Sequence, residues 1–103
     1  MEILVGSDLT LDIGDPFNFR KFSLRAAHPA SASERVAAAC AGLAAFEPGG
    51  HAWIDAQRLI DWPSLRDDPR WGEGLRAMIE KARPYGWILD KPLRIKAHIE
   101  WQP

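Results

Sequence analysis

Between Leu93 and Trp101, apolar and polar residues alternate without a break: Leu93, Ile95, Ala97, Ile99 and Trp101 against Arg94, Lys96, His98 and Glu100. Successive side chains of a strand point to opposite faces, so this run predicts a strand buried on one face and wet on the other. Such a strand needs neighbours and an apolar cover, which the rest of the chain must supply. Gly86–Trp101 as a whole reads as a two-stranded hairpin, with Asp90-Lys91-Pro92 as its turn. Trp87 and Leu89 are assigned to its buried face.

Other elements follow from their boundaries. Asp68-Pro69 sets an N-cap before a proline at the first helical position, where the missing N–H costs nothing. Trp71, Leu75, Met78 and Ala82 continue at helical spacing, and Pro84-Tyr85-Gly86 ends the run, giving a helix over Asp68–Arg83. Gly72 and Gly74 within it are expected to mark a close backbone contact, since glycine weakens a helix interior. His51–Ile54 reads as a short strand, and Asp55 caps a short helix to Asp61. Ser31 and Glu34 read as a capping box for an Ala-rich helix whose apolar face holds Val36, Cys40, Leu43 and Phe46, closed by Glu47-Pro48-Gly49-Gly50.

The first 28 residues read as β. Ile3–Val5 and Leu9–Ile13 alternate around a turn at Gly6-Ser7-Asp8. Phe17 and Phe19, then Phe22, Leu24 and Ala26, alternate in two phases, which suggests a bulge at Arg20-Lys21. From residue 31 to 101 the order is helix, strand, helix, helix, strand, strand. The expected fold is therefore α+β, a winged-helix-like unit preceded by a β-rich N-terminal segment, all in one domain over 1–103. The competing architecture is a single antiparallel sheet with two helices on one face.

With 47% apolar residues and five Trp and four Phe among 103 residues, the chain can build a core without staples. The single cysteine, Cys40, cannot form an internal disulfide and is expected as a buried, unreactive thiol. No apolar run reaches the ~20 residues that span a bilayer, and the start lacks a signal-type pattern. A cytoplasmic protein is expected. Charge is balanced at 13 basic against 14 acidic residues, and the part after residue 30 carries ten of each. Duplex-DNA binders draw most of their affinity from a basic face, so this balance disfavours DNA.

Chemical signatures are sparse. His28, His51 and His98 match no compact metal motif, although first-to-last strand pairing in a winged helix would bring His51 near His98 and Glu100. They are expected as solvated strand-face histidines, with no metal and no cofactor. Asp8, Asp12 and Asp15 lie beside turns and Asp67 and Asp68 at a helix start, where carboxylates have structural work. The cationic set Arg70, Arg76, Lys81, Lys91, Arg94 and Lys96 is the candidate surface for a partner or nucleic acid. Phe17, Phe19, Phe22 and Leu24, large residues on both faces of a regular strand, are the candidate interface of a homodimer. The expected function is a small non-catalytic protein-interaction or adaptor domain that self-associates. A DNA-binding winged-helix regulator and an enzyme with an inter-subunit site are the alternatives.

Overall fold

A computed structural model describes residues 1–102. The fold is α+β: one sheet of seven strands and three helices. Strands β1 (Glu2–Val5) and β2 (Leu11–Gly14) form an antiparallel hairpin, and β3 (Ser23–Ala26) returns beside β1. Helix α1 spans Ser33–Ala39, and β4 (Ala44–Glu47) and β5 (His51–Asp55) form a second hairpin. Helices α2 (Ala56–Ile60) and α3 (Pro69–Ala82) precede β6 (Ile88–Leu89) and the long β7 (Arg94–Trp101). The path through the sheet is β2-β1-β3-β7-β5-β4, with β6 also on β7. Pairs β1/β3 and β3/β7 are parallel and the others antiparallel, so the sheet is mixed rather than wholly antiparallel.

One face of this sheet carries the core. Ile3, Val5, Leu24, Ala26, Ala52, Ile54, Ile95, Ala97 and Ile99 are buried on it, against Val36 and Cys40 of α1, Leu59 of α2, and Trp71, Leu75, Met78 and Ile79 of α3. Trp71 Nε1 donates to the Leu59 carbonyl at 2.8 Å, which satisfies the buried indole and ties α3 to α2. The helix starts follow their caps: Asp55 accepts from the Arg58 amide at 3.0 Å and Asp68 from the Arg70 amide at 3.0 Å. The opposite sheet face is polar. There Arg25 bridges Glu2 on β1 at 2.7 Å and Glu100 on β7 at 3.5 Å.

Four sequence expectations are corrected. The Ala-rich helix stops at Ala39, because the chain turns left-handed at Gly42 (φ 86°), and Phe46 lies on β4 instead. No capping box forms, since Ser31 falls within a single 3-10 turn over Ala30–Ala32 and the helix is preceded by Ala32 without a side-chain cap. Phe17–Phe22 is a loop, with β3 starting only at Ser23. In the last hairpin the register Ile88↔Ile95 turns Ile88 toward the core, so Trp87 and Leu89 face outward. A shift of one residue reverses every side chain of a strand.

Candidate functional site at the C-terminal end of helix α3

Strand β7 is longer than the strands on one of its flanks. On that side its pairing with β3 begins at His98, and the ladder from β6 ends with the Lys96 amide donating to the Trp87 carbonyl at 2.8 Å, so pairing is interrupted at Ala97. A cleft of about 590 Å³ opens at this interruption. That volume lies within the range of ligand pockets. Its floor is Met78 and Ala82 of α3 with Ile95 of β7, all buried. Phe19 and Phe22 of the loop before β3 form one wall, and Tyr85 and Trp87 the other.

The Tyr85–Trp87 wall is built by local sequence. Pro84 lies in a single 3-10 turn over Arg83–Tyr85, and Gly86 then takes φ 77°, a left-handed conformation that glycine adopts readily. This reversal stacks the two rings at 4.8 Å between centroids and 22° between planes. Tyr85 is nevertheless 69% exposed and Trp87 47% exposed. Arg83 anchors the turn through Asp90 at 2.9 Å and Glu80 at 3.3 Å. Its guanidinium is held charged beyond the ordinary value by Asp90 first and Glu80 second.

Charge in the cleft is of one sign. Arg20, Lys81 and Lys96 line it together with the His51 and His98 imidazoles, and among the described residues no carboxylate does. Among the described residues Arg20, Lys81 and Lys96 make no ion pair, whereas Arg25, Arg70 and Arg83 all do. Lys96 Nζ stands 6.0 Å from the centroid of Trp53 on the polar sheet face. The chain carries a net charge of −1, so this is a local concentration of positive charge.

The sequence-derived cations therefore separate. Lys81 and Lys96 converge on the cleft. Arg70, at the other end of α3, is clamped by Asp68 at 2.7 Å and lies over the Phe17 ring at 4.7 Å. Hydrogen bonds from Arg70 also hold the Asp68 carboxyl below its usual range. Arg76 folds back toward Gly72, Lys91 sits exposed in the last turn, and Arg94 donates to the Pro92 carbonyl at 3.3 Å. Arg20, Tyr85 and Trp87 were not among the expected site residues. The available signal was Pro84-Tyr85-Gly86-Trp87 itself, two aromatics about a glycine just beyond a helix end.

The four N-terminal residues also separate. Leu24 is fully buried beneath the helices, Phe22 lines the cleft, and the Phe19 ring lies against the backbone of Gly74. Phe17 alone among them is counted as exposed, at 41%, and it meets Trp71 edge-on at 6.3 Å. Because Phe17–Phe22 is a loop, the chain has no regular strand with large side chains on both faces there.

The histidines do not converge on a metal. His51 and His98 are paired across β5 and β7, with ring centroids 6.4 Å apart, but Glu100 turns to Arg25. His28 is buried, with Nε2 at 2.9 Å from the Gly6 carbonyl, and is not a solvated strand-face residue. Among the described residues no group of three His, Cys, Asp or Glu side chains is placed to hold a metal ion, and no helix is long and apolar enough to cross a membrane. Cys40 is buried, and burial pushes its thiol up to about 11. No family model, curated protein or solved structure matches the chain.

Proposed function

We propose that this chain is a small non-catalytic protein-interaction domain whose binding surface is the cleft at the C-terminal end of α3. One observation carries this reading. Tyr85 and Trp87, exposed at 69% and 47%, stand on the rim of a recess that already has an apolar floor. Trp and Tyr are the residues that most often anchor interfaces, because they bury large area with few rotatable bonds. The polar groups that line the cleft, Arg20, Lys81, Lys96, His51, His98 and the Tyr85 hydroxyl, are suited to holding a ligand.

Selection of a random linear peptide library on the full chain and on Trp87→Ala tests this reading. Enrichment on the native chain that Trp87→Ala abolishes is the expected result. Equal enrichment on both would remove the cleft from the account.

A second reading has one observation in its favour. Strands β5 and β6 flank β7, with α2 and α3 between them in sequence, which is the order of a winged helix. In that reading residues 31–101 are a winged-helix-like unit and α3 would meet duplex DNA. The clamp of Asp68 on Arg70 puts a carboxylate at the end of α3 that would approach phosphates. A mobility shift at nanomolar protein, lost with rising salt, would favour DNA over the interaction reading.

A further inference from the structure

Interaction through the cleft leaves open what chemistry it selects. Resting on that reading, we propose that the partner segment is an acidic peptide: an apolar or aromatic anchor side chain flanked by Asp or Glu. Three features of the cleft require both halves of this ligand.

The floor of Met78, Ala82 and Ile95 offers no polar partner to an entering group. A polar side chain placed there would lose its water without replacement hydrogen bonds, so an apolar anchor is selected. The walls then present cations. Lys81 comes from α3, Lys96 from β7 and Arg20 from the loop before β3, so positive charge surrounds the recess from three separate elements. None of the three makes an ion pair among the described residues. Arg25, Arg70 and Arg83 pair with carboxylates inside the chain; what sets Arg20, Lys81 and Lys96 apart is that they share one recess.

Single-stranded nucleic acid is the rival anion, since aromatic rings beside cations also suit stacked bases. Total charge decides against it. A strand presents a continuous row of phosphates, and its binders are basic along the whole groove. Here the sequence pI is about 6.3, and Glu100 and Glu47 lie on the sheet beside His98 and His51. A peptide with two or so carboxylates needs only the local set.

The library selection reads out the ligand class directly. On the native chain, enriched peptides should carry an excess of Asp and Glu beside one Trp, Phe or Leu. The double variant Lys81→Glu/Lys96→Glu should exchange that excess for Lys and Arg, with fold confirmed by circular dichroism. Individual enriched acidic peptides should lose at least about tenfold in affinity for Lys81→Gln/Lys96→Gln, equivalent to ~1.4 kcal/mol. Enrichment that depends on Trp87 but shows no acidic excess, or an excess unchanged in the charge-reversed variant, would overturn the ligand class and leave the interaction reading standing. No enrichment above Trp87→Ala would overturn both. Fluorescently labelled oligo(dT) that binds the native chain more tightly than the acidic peptides, and displaces them, would overturn the proposal in favour of single strands.

Discussion

Helix α3 ends in aromatic residues twice, and the two ends are finished differently. At its N-terminal end, Phe17 and Phe19 pack around Trp71, with Phe19 centred 5.9 Å from the indole. Gly74 makes room there, since a Cβ at that position would overlap the Phe19 ring. Arg70 covers Phe17 and is itself held by Asp68. At that end Trp71 is buried, Arg70 is paired and Phe19 rests on the Gly74 backbone, although one side of Phe19 also lines the cleft and Phe17 stays partly exposed. At the C-terminal end, Tyr85 and Trp87 stack on each other with most of their surroundings open. Lys81, Arg20 and Lys96 stand nearby and make no ion pair among the described residues. Similar residue types thus build a closed corner and an open one. The difference lies in whether the chain supplies the complementary carboxylate and backbone.

Mutations should separate the two ends. Trp71→Ala should cost about 3–5 kcal/mol in a urea melt, through a large cavity and the loss of the indole hydrogen bond that ties α3 to α2. Trp87→Ala should cost less than about 1 kcal/mol, because half of its surface is already in water. Comparable losses would mean that the C-terminal wall is structural. Gly74→Ala should destabilise by about 1–3 kcal/mol, because overpacking against Phe19 outweighs the better helix propensity of alanine. A neutral or stabilising result would show that the Phe19 ring is free to leave.

Closure of the N-terminal corner also bears on assembly. Light scattering at tens of micromolar should report a single copy, since Leu24 is in the core and Phe19 is on Gly74. A dimer that dissociates on Phe17→Ser would return these aromatics to an intermolecular role.

The smallest effect concerns Cys40, which lies in the core away from either end. Burial raises its thiol to about 11 in the folded chain. An unfolded thiol titrates near ~8.5. This contribution to stability is therefore complete below ~8.5 and is lost as pH rises toward the folded value. Iodoacetamide near neutral pH should alkylate Cys40 only as fast as the chain opens; immediate modification would contradict its burial.

What was legible in the sequence was local. Asp68-Pro69 fixed the start of α3 through a capping geometry, Asp55 did the same for α2, and strict alternation placed Ile95, Ala97 and Ile99 in the core. What was not legible depended on distant pairing or on a competing preference. The Ala-rich run over residues 37–45 favours helix on propensity, yet Gly42 and the register of Ala44–Glu47 on β5 took the second half into a strand. Nothing in Ser23–Ala26 announces parallel neighbours on both sides. The cleft had the same fate. Lys81 and Lys96 were visible as surface cations, but their convergence with Arg20 requires β3 and β6 to share one flank of β7. The expected inward orientation of Trp87 hid the wall of the site, through a register error of one residue.

One measurement bears most directly on the contrast between the two ends. Peptides enriched on the native chain are titrated against Trp87→Ala and Phe17→Ala side by side, by fluorescence anisotropy. The account predicts at least a tenfold loss for Trp87→Ala, about 1.4 kcal/mol or more, and little change for Phe17→Ala. A loss confined to Phe17→Ala would place the binding surface at the end of α3 described here as closed, and would contradict the account.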